Sequence, residues 1–106
     1  MTDLPESRGR RVLRLIVGGK VQGVGYRAWL AREAGRLALE GWARNLPNGS
    51  VEAVVAGDPD AVATLAEAVI RGPVHARVAG LQILDAVDEA LDLRRAGVVF
   101  DILPDA

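Results

Sequence analysis

The chain alternates between two hydrophobic periods, two residues and 3.6 residues, and the changes of period mark its elements. From Arg11 to Gly18 the run RVLRLIVG places Leu13, Leu15 and Val17 on one face, as a half-buried strand does. From about Gly25 to Leu39 the spacing turns helical. Tyr26, Leu30, Ala34 and Leu37 recur on one side, Arg32, Glu33 and Arg36 lie elsewhere on the cylinder, and Gly41 is expected to break the helix. WARNL (Trp42 to Leu46) and SVEAVVAG (Ser50 to Gly57) read as strands. Between them Pro47-Asn48-Gly49 signals a hairpin, and Asn-Gly predicts a primed turn because it tolerates positive φ. Asp58-Pro59 supplies an N-cap and a proline at the first helical position. Val62, Leu65, Ala66 and Val69 form the inward stripe of this second helix, and Arg71-Gly72-Pro73 ends it. Ala76 to Leu84 reads as a fourth strand and Val98 to Leu103 as a short last one. The polar stretch from Asp85 to Gly97 carries neither period.

The order is therefore β-α-β-β-α-β plus a final strand, with an antiparallel hairpin in the middle. This predicts an α+β fold of the ferredoxin-like type, a split βαβ plait. Its sheet is antiparallel or mixed, with two helices on one face. One domain is expected over residues 11–103, after a disordered polar tail at 1–10.

Composition narrows the chemistry. The chain has 106 residues, no Cys, one His and a net charge of −1. Thiolate nucleophiles, disulfides and multi-His metal sites are excluded, and no metal or cofactor is expected. A Ser-His-Asp triad would have to join His75 to Ser7, in the tail, or to Ser50, beside the turn. Nothing in the charge balance draws the chain toward nucleic acid. An RNA-binding plait needs aromatic residues on its strands for base stacking, and the first and third strands have none. No apolar run approaches the ~20 residues of a membrane span, and MTDLPESRGR lacks the apolar region of a signal peptide. The expectation is a cytoplasmic monomer with no nucleic-acid or membrane partner.

One stretch stands apart. GGKVQGVGYR, Gly18 to Arg27, joins the first strand to the first helix and contains four glycines. A plain flexible connection is the simplest reading. A dinucleotide fingerprint fits the letters from Gly23 to Ala28, but the following hairpin is foreign to a parallel sheet and no acidic residue ends the second strand. A Walker loop is absent, because no G-K-[ST] follows. The third reading is an anion cradle. Backbone N–H groups of a glycine-permitted loop converge on one anion, and the helix N-terminus adds its own free amides. Arg27, in the first turn of the helix, opposes the helix dipole unless an anion sits beside it. Its guanidinium grips two oxygens of a phosphoryl group at once.

GKVQGVGYR followed by LEGWARNLPNGSVEAVVAG resembles the acylphosphatase family, whose signature is a G-x-V-Q-G-V-x-[FY]-R loop and a later G-[FYW]-[AV]-x-N strand. The resemblance runs from about Arg11 to Pro73, and a closing strand such as VVFDI also belongs to the pattern. Tyr26 stands where phenylalanine is frequent, and Asp85 to Gly97 does not follow the family's usual strand-turn pattern. The resemblance implies the plait already inferred. It also implies hydrolysis of acyl phosphates, the mixed anhydrides of carboxylic and phosphoric acids, to carboxylate and inorganic phosphate. By position, Arg27 corresponds to the phosphate-binding arginine and Asn45 to the water-orienting asparagine. The amides of Val21, Gln22, Gly23, Val24, Gly25 and Tyr26 correspond to the phosphate cradle. A non-catalytic phosphate-binding regulatory module on the same fold is the alternative, with the loop and Arg27 but no turnover.

Asn45 alone would read as a residue shaping the proline turn. Strand alternation, however, puts it with Ala43 on the face opposite Trp42 and Arg44, whereas Asn48 belongs to the turn. A carboxamide both donates and accepts, so it can hold a water against a phosphoryl oxygen. Gln22 either shapes the loop or meets the ligand, and Lys20 reads as an exposed loop lysine. Trp29 and Trp42 read as packing residues and His75 as a solvated one.

Overall fold

A computed structural model describes residues 9–106. Most of the expected N-terminal tail lies outside the described residues. Arg10, at its end, is held by Glu40 at 2.6 Å and by Asp88 at 3.2 Å. The elements are β1 (Arg11–Lys20), α1 (Tyr26–Arg36), β2 (Glu40–Asn45), β3 (Val51–Gly57), α2 (Pro59–Val69), β4 (Arg77–Asp85), a 3₁₀ helix (Asp88–Leu93) and β5 (Phe100–Ile102). The polar stretch without a period is thus mostly the 3₁₀ helix and its flanks.

The five strands lie in the order β4-β1-β3-β2-β5. β1 pairs antiparallel with β3 and β4, β2 pairs antiparallel with β3, and β5 runs parallel to β2. The sheet is the mixed plait expected. Leu13, Leu15 and Val17 of β1 enter one core with Leu30 and Ala34 of α1 and Val62, Leu65 and Val69 of α2. On the other face a smaller cluster joins Trp42, Val54, Ala56, Leu91 and Leu103, with the 3₁₀ helix as its cover. Trp42 is fully buried and its indole N–H donates to the Ala90 carbonyl at 2.7 Å. In α2 the stripe is slightly displaced: Ala68 is buried and Ala66 only half-buried.

Three boundaries differ from the sequence reading, each for a physical reason. α1 ends at Arg36, not near Leu39. The Leu39 N–H donates to the Ala34 carbonyl at 2.9 Å and the Ala38 N–H to the Gly35 carbonyl at 3.2 Å, the Schellman arrangement that usually employs glycine. Here Ala38 adopts φ 57°. Gly41 is not the breaker. It lies inside β2, where any Cβ would overlap the Val54 carbonyl of β3. The hairpin turn is not primed either, since Pro47 fixes its own φ near −65°. Only Gly49 takes positive φ, 94°, and the Gly49 N–H donates back to Leu46 at 3.1 Å.

Candidate active site

Two helix N-termini in this chain are treated in opposite ways. α2 is capped by Asp58, whose carboxylate accepts from the Asp60 and Ala61 amides at 3.1 and 3.2 Å. α1 has no side-chain cap and no acidic residue in its first turn, which instead carries Arg27. Its cap position is Gly25 at φ 79°, and Gly23 before it is at φ 75°, conformations that cost glycine nothing. Among the described residues, none of the amides from Val21 to Gly25 donates a backbone hydrogen bond. The loop thus presents free N–H groups beside a helix end that carries a partial positive charge.

These residues enclose a cavity of about 150 Å³ lined by Val21, Gly23, Gly25, Tyr26, Arg27, Ala28, Asn45 and Ile102. That is roughly five times the ~30 Å³ one water takes in the liquid, enough for a phosphoryl group and a water. Asn45 comes from the end of β2, buried on the same face as Ala43. Its Oδ1 is fully buried, and no protein donor reaches it among the described residues. An unpaired buried acceptor is costly, and the residue that carries it lines the cavity. The structure therefore brings Arg27 and Asn45 together with the loop residues Val21, Gly23, Gly25 and Tyr26. Gln22 and Val24 do not line the cavity.

Two side chains fix the loop against the rest of the fold. The Gln22 carboxamide donates to the carbonyls of Leu46 and Ser50 at 2.9 and 2.8 Å. This ties the loop to the two ends of the hairpin, next to Asn45, which is a loop-shaping contact. Tyr26 is buried, and its hydroxyl donates to the Val69 carbonyl at 2.6 Å. Burial pushes that phenol well above its ordinary value, so it stays a neutral donor. Its ring packs on Trp29, centroids 5.3 Å apart, so Trp29 belongs to packing. Lys20 and His75 are exposed and outside the cavity.

Sequence reasoning passed over two participants. Ile102 reaches the cavity only because β5 pairs in register with Ala43, which no local pattern announces. Asp105, beyond the last strand, places a carboxylate oxygen 3.4 Å from Arg27 Nη1. A larger hollow of about 490 Å³ lies at the opposite end of α1, around Arg10, Glu40 and Arg94. There Glu40 already pairs with both arginines, at 2.6 and 2.9 Å, leaving little for an anion. The Arg10 hydrogen bond, followed by Arg94, holds the Glu40 carboxyl below its ordinary value.

A family model described as Acylphosphatase matches residues 13–94. The chain belongs to the acylphosphatase family. It is 45% identical over 95 residues to an acylphosphatase of Bradyrhizobium diazoefficiens, covering 90% of this chain and 96% of that one. It is 50% identical over 93 residues to one of Rhodopseudomonas palustris, covering 88% and 94%. Among solved structures it resembles an acylphosphatase from Coxiella burnetii, with TM-score 0.79 and 30% identity over 97% of this chain and all of that one. The acylphosphatase of Bacillus subtilis gives TM-score 0.74 and 31% identity over 87% and 97%. The sequence motifs, the plait and these likenesses agree on one family.

Proposed function

We propose that Arg27, Asn45 and the loop from Val21 to Tyr26 carry out the hydrolysis of acyl phosphates by in-line attack of water on phosphorus. The enzymatic activity follows from the family; the residue roles are read from the cavity. Loop amides and the guanidinium of Arg27 bind the phosphoryl oxygens. The Asn45 carboxamide orients the attacking water by hydrogen bonding, and its place in the lining of the same cavity as Arg27 is the observation that carries the reading. As the water oxygen bonds to phosphorus, the bond from phosphorus to the acyl oxygen breaks. The electron pair leaves with the carboxylate, and the water proton passes to a phosphoryl oxygen, giving inorganic phosphate. A carboxylate is a good leaving group, so no strong general acid is required. Phosphoryl transfer of this kind depends on positioning and charge stabilisation, which amides, an arginine and an asparagine supply.

A monomer working in the cytoplasm without metal belongs to the same reading. No described helix is long and apolar enough to cross a membrane. Sedimentation of the purified chain checks the monomer.

The test is turnover of acetyl phosphate in the presence of EDTA by wild type, Arg27→Lys and Arg27→Ala. Lysine keeps the charge but cannot set two parallel N–H donors on one phosphoryl group. An arginine in this role contributes on the order of 10³–10⁵ in rate, so the lysine variant should be nearly as impaired as the alanine one. Inhibition by inorganic phosphate should weaken in both. A lysine variant that keeps most of its turnover shows that Arg27 supplies only diffuse charge. A wild type that binds phosphate without turning over acetyl phosphate points to the regulatory module instead.

A further inference from the structure

β2 carries Asn45 at one end and Glu40 at the other. β5 runs beside it for three residues, with Gly41, Trp42 and Ala43 facing Phe100, Asp101 and Ile102. Three paired residues give an edge strand few bonds of its own. The stretch before β5 supplies the rest. It is first closed on itself: the Arg95 N–H donates to Asp101 Oδ2 at 2.8 Å and Arg95 Nη2 to Oδ1 at 2.6 Å. Arg94 then fixes this closed loop to the sheet. Its Nε donates to the Leu91 carbonyl at 3.2 Å, and its Nη1 to the carbonyls of Val98 and Val99 at 3.4 and 2.8 Å. Its Nη2 lies 2.9 Å from a carboxylate oxygen of Glu40. The Val99 carbonyl also accepts from the Gly41 N–H at 3.0 Å. The oxygen that Arg94 holds is thus the one on which β5 begins to pair with β2.

We infer that Arg94 is a positioning residue for the hydrolysis: from the far end of β2 it holds β5 in register and so keeps the Ile102 wall of the phosphoryl cavity closed. The inference rests on the proposed roles of Arg27 and Asn45, and Arg94 acts on them through the backbone. Ile102 lines the cavity. Past it the Leu103 N–H donates to the Ala43 carbonyl and the Ala106 N–H to the Asn45 carbonyl, both at 2.9 Å. A guanidinium suits the task, because its donors are fixed in one plane and reach three carbonyls and a carboxylate at once. Hydrogen bonds from an ion are also the stronger kind. Without them β5 keeps its short ladder and loses its anchor. While β5 is away, bulk water enters the cavity and competes for the loop amides and the Asn45 carboxamide, whose hydrogen bonds are strongest in a site that excludes it.

The experiment measures kcat for acetyl phosphate and amide hydrogen exchange by NMR in wild type, Arg94→Met and Arg94→Lys, at a temperature where each is folded. Methionine keeps the aliphatic stem and removes every donor. Exchange of the Gly41 and Leu103 amides, which flank β5, should quicken about tenfold, while amides of the β1–β3 ladder keep their rates. A displaced positioning group costs up to ~10²-fold in rate, and β5 is away only part of the time, so kcat should fall about three- to tenfold. Lysine keeps a charge beside Glu40 but cannot span the carbonyls, so it should fall between the two, and it carries the test alone if the methionine variant does not fold. Quickened exchange with kcat within about twofold of wild type overturns the inference, because the site then does not feel β5. Lowered kcat with unchanged exchange at Gly41 and Leu103 overturns it too, because Arg94 then acts by another route. Failure of the proposed site reads differently: Arg27→Ala would then keep its turnover.

Discussion

Replacing Asn45 by alanine should move activity and stability in opposite directions. Most truncations of a buried residue destabilise, with a centre near ~1 kcal/mol. Asn45 differs because its Oδ1 is buried with no protein donor among the described residues, and a buried unpaired acceptor costs about 1–3 kcal/mol. Removing the carboxamide relieves that cost and gives up the packing of a short polar side chain, which the apolar walls of Val21 and Ile102 offset only in part. The balance is a fold as stable as wild type or about 1 kcal/mol more stable. For a domain of this size that is no change or a rise of roughly 4–8 °C in Tm. Loss of a positioned polar group lowers kcat by on the order of 10²–10³. Thermal melts followed by circular dichroism without phosphate, beside acetyl phosphate kinetics, measure both. Asn48→Ala is the control. Asn48 Oδ1 accepts from the Ser50 N–H at 3.0 Å and the Ser50 hydroxyl at 2.5 Å, so that variant should lose about 1 kcal/mol and keep its kcat. If Asn45→Ala keeps kcat within tenfold, or melts well below wild type, the residue is a structural one and the water-positioning role is wrong.

Asp105→Asn should tighten inhibition by inorganic phosphate by up to about fivefold, since an exposed ion pair of about 0.2–1 kcal/mol must yield before an anion takes Arg27; a weaker inhibition would show that Asp105 instead holds Arg27 in place. Ala38→Gly should raise stability by about 0.5–1 kcal/mol. It relieves roughly 1–2 kcal/mol of left-handed strain against about 0.4–1 kcal/mol of added unfolded-state entropy. Chemical denaturation should show it with kinetics unchanged, because Ala38 lies at the end of α1 away from Arg27. Acid should weaken the fold as pH falls below about 4. The Arg95 side chain, then its backbone N–H, hold the Asp101 carboxyl below its ordinary 3.8, and the Glu40 carboxyl lies below 4.5. Both contribute stability above those values and lose it as pH drops through their lowered ones; melts of wild type and Asp101→Asn between pH 7 and 3 should differ in the steepness of that loss.

The sequence was most legible where one residue type has one local use. Asp58-Pro59 announced a helix start, Leu13-Leu15-Val17 a core face, and the glycines before Arg27 a loop with free amides. It was least legible where tertiary contact overrides local preference. Ala38 ends a helix that Gly41 was expected to end, because Gly41 is required against Val54 of a neighbouring strand. Pro47 outweighs the Asn-Gly preference for a primed turn. At the site, Arg27 and Asn45 were visible as types in a pattern. Ile102, Asp105 and the anchoring of Gln22 to the hairpin were not, since each depends on where β5 and the β2–β3 hairpin pass the loop.

The parallel pairing of β5 with β2 has a further consequence, for motion. β5 is three residues long and completes the edge of the sheet beside Asn45. Beyond it, the Leu103 N–H donates to the Ala43 carbonyl and the Ala106 N–H to the Asn45 carbonyl, both at 2.9 Å. Short edge elements with few buried contacts open locally at a small fraction of the global unfolding free energy. Each such opening takes away Ile102 and Asp105 and releases the Asn45 carbonyl from Ala106, while Asn45 stays paired with Val51 and the loop stays anchored through Gln22 and Tyr26. The loop before α1 is therefore tied to the hairpin and to α2. The edge that carries Ile102 and Asp105 opens and closes with the last strand.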